Sequence, residues 1–107
     1  MLGATPEAIK DFDRALVLAP GYAAAYTNRA SAHMRLGQLE QAIADYNMAI
    51  ELTPASAAAL SGRGRAHLAS NRPYGAIRDF TRAVSADARF GPAYRNRGEA
   101  KLAVERY

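Results

Sequence analysis

The sequence predicts an all-α fold, an α-solenoid of antiparallel helix hairpins with about six helices. Shifted by 34 residues, the chain matches itself: Ala8, Ala42 and Ala76 coincide, as do Ile9, Ile43 and Ile77, Asp11, Asp45 and Asp79, Phe12, Tyr46 and Phe80, and Ala15, Ala49 and Ala83. A second set repeats at the same period: Tyr26, Leu60 and Tyr94; Arg29, Arg63 and Arg97; Ala32, Ala66 and Ala100; His33 and His67. A fixed period of this size marks stacked supersecondary units, each too small to bury its apolar face without its neighbours. Within each unit the apolar residues recur at three- and four-residue spacing, and the breaks between runs are two to five residues long. Such spacing is helical, and such short connections force antiparallel neighbours.

Each element follows from local signals. Thr5-Pro6-Glu7 is a helix start, with a capping hydroxyl, a Pro suited to the first helical position and a Glu that complements the dipole. That helix carries Ile9, Phe12 and Leu16 as its stripe, runs to about Leu18, and stops at Ala19-Pro20-Gly21. A second helix is expected from Tyr22 to Leu36, ended by Gly37, and a third from Leu39 to Leu52, ended before Pro54. The cycle then repeats over Ser56–Ala69, Pro73–Ala86 and Pro92–Arg106. No strand pattern, low-complexity run or flexible linker interrupts it.

The composition excludes several classes of function. At 107 residues the chain is one domain's worth. Half of it is hydrophobic, but 25 residues are Ala, and there are three Phe, six Tyr and no Trp. The core is therefore expected to be thin, with stability resting on many modest contacts between closely approaching helices. The lack of Cys removes disulfides, thiolate catalysis and Cys-based metal sites, and is compatible with a reducing compartment, so a cytoplasmic location is expected. The first residues show no basic flank followed by an apolar run, and no eighteen-residue apolar stretch occurs, so neither signal peptide nor membrane span is expected. The formal charge of +4 comes from twelve Arg and two Lys against ten acidic residues and favours acidic partners.

The order of aromatic or Leu, small residue, Ala, aromatic and closing Pro resembles the tetratricopeptide repeat, whose period is 34. The clearest unit has Tyr26, Ala30, His33, Ala42, Tyr46 and Pro54 at the family's marked positions. The next has Leu60, Gly64, His67, Ala76 and Phe80, with Ala88 in place of Pro. The resemblance implies a right-handed solenoid forming a single domain over residues 1–107: a half repeat at 1–22, repeats at 23–56 and 57–90, and a half repeat at 91–107. Both chain ends fall near the turn inside a hairpin, as in a piece of a longer array. The first helix would leave part of its stripe uncovered, including Ile9 and Phe12, so self-association through the terminal helices is expected.

Two charge series of opposite sign share the period, and each Arg of the set Arg29, Arg63, Arg97 is expected to pair with an Asp of its own or the preceding hairpin. The family's ligand groove is its concave surface, lined by the first helix of each hairpin. The resemblance places Ala24, Thr27, Asn28, Ser31 and Arg35 there, then Ala58, Ser61, Gly62 and Arg65, then Arg95, Asn96 and Glu99. Of these, Thr27, Asn28, Ser31, Arg35, Ser61, Arg65, Arg95, Asn96 and Glu99 are the candidate peptide-binding residues, with Arg35, Arg65 and Arg95 as a basic patch. Asn28 and Asn96, each followed by Arg, resemble part of the carboxylate clamp with which some family members hold acidic chaperone tails. The following helix, however, offers Ala58 and Gly62 where that clamp needs Lys and Arg. Tyr26 and Tyr94 are read as core.

No chemistry is expected. His33 and His67 recur where the family packs an aromatic, with no third metal ligand beside them. Ser61-Gly62-Arg63-Gly64 follows no strand and lacks the Gly-Lys ending of a phosphate loop. The expected function is a protein-protein interaction module or scaffold that holds a peptide or helix in its concave groove, acidic partners being favoured by the charge, with no catalysis, cofactor, metal, nucleic acid or membrane. A structural spacer within a larger protein is the first alternative. RNA binding is the second, disfavoured by the modest charge and the scarcity of Lys.

Overall fold

The computed structural model describes residues 6–105. Thr5, expected to cap the first helix, and Arg106, expected to end the sixth, lie outside the described residues. Among the described residues the chain forms six α-helices and no strand: α1 (Pro6–Leu18), α2 (Ala23–Arg35), α3 (Leu39–Leu52), α4 (Ala57–Ala69), α5 (Pro73–Ala86) and α6 (Gly91–Glu105). The fold is all-α and a solenoid of helix hairpins. Every observed boundary lies within a residue of its expected place, because the punctuation is strong. None of these helices is long and apolar enough to cross a membrane.

Capping explains the breaks. Ser56 precedes α4, and its hydroxyl accepts a hydrogen bond from the Ala59 amide at 3.2 Å, using one of the orphan donors of the first turn. Gly37 ends the second helix with φ 75°, and one period later Asn71 does the same with φ 60°. Asn is among the few residues with a side chain that tolerate this left-handed conformation, so the turn survives without Gly.

The chain divides into two compact units, Met1–Pro54 and Ala55–Tyr107. In the first, α2 packs against both α1 and α3. Its buried core is Leu16 from α1, Ala25, Ala30 and Ala32 from α2, and Ala42, Ile43, Tyr46, Ala49 and Ile50 from α3. In the second, α5 packs between α4 and α6, and α4 also touches α6. There Phe80 and Leu60 are the largest fully sealed side chains; Phe80 clusters with Ala76 and Ala100, and Ala66, Ala83 and Ala93 are also fully buried. Ala at these seams lets helix backbones come close enough for a single ring to fill the space between them.

Gly64 marks the closest approach. A Cβ added to it would lie 2.6 Å from the Phe80 ring, which is wholly buried and has no room to retreat. Gly64→Ala is therefore expected to destabilise the protein by about 1 kcal/mol, because an overpacking cost of roughly 1–3 kcal/mol outweighs a gain of about 1 kcal/mol in helix propensity. Thermal unfolding followed by circular dichroism checks the sign; a raised melting temperature would contradict it.

Candidate functional site

The charged positions sort into two populations by what holds them. In the first unit, Arg29 of α2 reaches both neighbouring helices. Its Nε and Nη2 donate to the two carboxylate oxygens of Asp45 on α3, each at 2.7 Å, and its Nη1 donates to Asp13 Oδ1 on α1, also at 2.7 Å. The planar guanidinium suits this double duty, since one edge fits a carboxylate fork and the remaining N–H groups point elsewhere. The hydrogen bonds to Asp45 are the main reason the Arg29 pKa is raised, so it stays charged throughout the ordinary pH range. Its guanidinium carbon also lies 5.7 Å from the Tyr26 ring centroid.

The second unit repeats the arrangement. Arg63 of α4 donates through Nε and Nη2 to Asp79 of α5 at 2.8 and 2.7 Å, and those bonds raise its pKa. Asp45 and Asp79 are among the few buried polar residues, so the expected pairing of Arg and Asp within a hairpin is observed where each carboxylate could not otherwise be buried. The third Arg departs from the expectation. Arg97 of α6 has no carboxylate partner among the described residues, touches Thr81 at 3.5 Å and lies 5.6 Å from the Tyr94 ring centroid. Asp11, the third Asp, is exposed. Asp13 was missed by sequence reasoning. Its register is held by Asn47 and Thr81 in the later copies, a polar but not acidic series, and only that polarity signals a role.

The two His sit beside the same carboxylates. His33 Nε2 lies 3.7 Å from Asp45 and His67 Nε2 3.6 Å from Asp79. His33 Nδ1 is further bonded to Gln38 Oε1 at 2.7 Å. One period on, Gln38 is replaced by Arg72, which has no acceptor, and the buried His67 Nδ1 finds no hydrogen-bond partner. Burial pushes the His67 pKa down, against the pull of Asp79. These rings act as packing between the helices of a hairpin.

The candidate ligand-facing residues present a different picture. On α2, Asn28 and Arg35 are exposed, while Thr27 and Ser31 are half-buried, and the Thr27 hydroxyl donates back to the Ala23 carbonyl at 3.3 Å. On α4, Arg65 is exposed, but Ser61 is only 4% exposed and presents no surface to a ligand. On α6, Arg95 and Glu99 are exposed and Asn96 is half-buried. None of Arg35, Arg65 and Arg95 forms an ion pair with a described residue, in contrast to Arg29 and Arg63. Tyr94, expected in the core, is 45% exposed, with its hydroxyl donating to the Ala88 carbonyl at 3.0 Å. Its counterpart Leu60, one period earlier on α4, is 1% exposed.

Hairpins of this size, repeated with a Pro-closed 34-residue period and an Ala and small-residue seam, define a helical-repeat class of protein. Residues 23–55 match the tetratricopeptide repeat family model, and the solved structures the chain resembles include tetratricopeptide repeat domains. No curated protein sequence matches the chain significantly. Solved structures do. The first TPR domain of Spaghetti (RPAP3), bound to the HSP90 peptide SRMEEVD, is similar with a TM-score of 0.87 and 27% identity over 91% of this chain and 77% of that one. The TPR2B domain of yeast Sti1, in a pHsp70 complex, is similar with a TM-score of 0.86 and 28% identity over 92% of this chain and 83% of that one. The Sgt2 TPR domain from Aspergillus fumigatus shares the fold at 23% identity, with a TM-score of 0.87 over 96% of this chain and 82% of that one.

Proposed function

We propose that the chain is a non-catalytic protein-interaction module whose first-helix faces hold an acidic peptide or helix. In this reading it is a cytoplasmic repeat domain, with repeats at 23–56 and 57–90 between two half repeats. The observation that carries the proposal is the division of the Arg residues. Arg29 and Arg63 are spent on buried carboxylates, whereas Arg35, Arg65 and Arg95 are exposed and without ion pairs among the described residues. Unpaired guanidinium groups on small-residue helix faces are ready donors for side-chain carboxylates or a free C-terminus. Asn28 on the first unit and Asn96 on the second supply amides able to bond a peptide backbone. Two neighbours of the same fold were solved with chaperone partners, one of them the acidic peptide SRMEEVD, which supports the class of ligand. Ala58 and Gly62 stand where the clamp of such proteins has its Lys and Arg, so this chain would grip an acidic segment through different cations.

The test is fluorescence anisotropy with short labelled peptides graded from acidic to basic, SRMEEVD among them. Arg65→Ala with Arg95→Ala on the second unit, and Arg35→Ala on the first, are each expected to weaken the tightest acidic peptide, with at least tenfold loss in the combined variant. Tenfold corresponds to about 1.4 kcal/mol, less than a single charge-assisted hydrogen bond commonly contributes. Stability should be unchanged, since the three side chains are exposed. Equal binding by wild type and the combined variant would overturn the assignment.

A further inference from the structure

We propose that the α4–α5 hairpin carries an acid-sensitive latch: a proton taken up by His67 lands where no acceptor faces it and three guanidinium groups bear on it, and the hairpin loosens as the pH falls into the mildly acidic range. The two hairpins share the ring and its setting. His33 and His67 stand one period apart, each with Nε2 beside the carboxylate that an Arg of the same helix also grips. They differ in what the other nitrogen meets. His33 Nδ1 lies 2.7 Å from Gln38 Oε1, so both nitrogens of that ring have an acceptor to donate to. His67 Nδ1 is buried and meets no partner among the described residues, and Arg72 stands where the first hairpin has Gln38.

A carboxylate only accepts, so the neutral His67 ring keeps its hydrogen on Nε2, toward Asp79. An added proton therefore goes to Nδ1, where an N–H donor is buried without an acceptor. The positive ring also meets cations. Arg63 stands one turn earlier on α4, Arg72 immediately precedes α5, and Arg78 lies on α5. Arg78 and the ring share the space over Gly75, since a Cβ there would lie 3.9 Å from Arg78 Nη2 and 3.5 Å from His67 Cγ. Arg72 and Arg78 occupy the registers of Gln38 and Ala44, so the second hairpin has two more cations around the same ring. Asp79 attracts the proton, but both of its oxygens already accept from Arg63. These four charges come from α4, the turn and α5; among the described residues α6 contributes none. Burial holds the His67 pKa below the ordinary histidine value, and the three Arg add to that against the pull of Asp79. The unfolded chain then binds the proton more tightly than the folded one. Stability is accordingly full above about pH 6.5 and is lost as the pH falls below it.

The experiment is urea denaturation of the full chain at steps from about pH 7.5 to about pH 5.5, beside His67→Gln, Arg72→Gln and Gln38→Arg. Over that range the folding equilibrium constant of wild type is expected to fall about threefold or more further than that of His67→Gln, one proton being able to supply about tenfold per pH unit. The comparison is of slopes, so a different starting stability of the variant does not disturb it. Arg72→Gln supplies the acceptor found beside His33 and removes a cation, and is expected to hold its stability to lower pH; Arg72 is exposed, so the fold is kept. Gln38→Arg gives the first hairpin the arrangement of the second and is expected to steepen the acid loss. Amide hydrogen exchange of wild type, referred to intrinsic rates at each pH, is expected to show α4 and α5 losing protection before α2 and α3. Parallel pH dependences of wild type and His67→Gln overturn the proposal. An Arg72→Gln profile as steep as that of wild type overturns the role of the missing acceptor, and protection lost evenly or first from α2 and α3 overturns the assignment to this hairpin.

Discussion

Arg63→Ala is expected to lower folding stability by about 3 kcal/mol, although Arg63 lies at the surface edge of its helix pair. The reason is the group left behind. The Asp79 side chain is 5% exposed and takes two short hydrogen bonds from Arg63; without them it is a buried charge whose nearest basic neighbour is His67 Nε2 at 3.6 Å. Breaking one side of such a pair strands a charge that water no longer reaches, which costs about 3–5 kcal/mol when burial is complete, and the partial exposure of Arg63 sets the lower end. Asp79→Ala should cost less, because an exposed-edge Arg can turn to solvent. The double variant should cost clearly less than the sum, with a coupling of at least about 1.5 kcal/mol. Arg97→Ala serves as the internal reference and should change stability by no more than about 0.5 kcal/mol, since among the described residues Arg97 has a long contact to Thr81 and a ring beside it but no carboxylate. Urea denaturation of wild type and the four variants decides the matter. An additive cycle, or equal costs at Arg63 and Arg97, would show that the buried carboxylate does not govern stability.

Phe80→Ala is expected to have an effect of similar or larger size, about 3–5 kcal/mol, by a different route. The ring is wholly buried, contacts the Gly64 position, and belongs to a cluster with Ala76 and Ala100 flanked by Leu68 and Ile77. Its neighbours are small or fixed to helix backbones, so they have little capacity to collapse into the space vacated. The register-equivalent Phe12→Ala removes the same ring from a half-buried place and should cost about 1 kcal/mol in dilute solution. Denaturation midpoints of the two variants, measured side by side at low protein concentration, test the contrast. Equal losses would mean that the ring's stabilisation comes from its own helix.

These expectations show where sequence information ends. Helix boundaries were legible because Pro, Gly and the apolar spacing all punctuate at the same places. The pairing of Arg29 with Asp45 and of Arg63 with Asp79 was legible because two opposite charges shared one period. Asp13 was not, because its register changes to Asn47 and Thr81, and a series that changes chemistry hides its role. The Gly37 turn was legible from Gly, whereas Asn71 takes up the same left-handed conformation without announcing it. Repetition also misled. It equated Tyr94 with the sealed Leu60, although burial depends on what packs on either side of a helix and not on the register alone. It put Ser61 on a ligand-facing helix surface, but a side chain's exposure is settled by how near the next helix comes.

The reach of Arg29, sixteen residues back to Asp13 and sixteen forward to Asp45, has an evolutionary corollary. Insertion or loss of a whole 34-residue segment returns every guanidinium to a carboxylate or polar partner in the same relative place. A change of any other length between partners takes one side of the fork out of step and strands an acid in the interior. Duplication in complete periods is thus the easiest path by which such a gene lengthens or shortens, and the ion pairs act as the proofreading of that path.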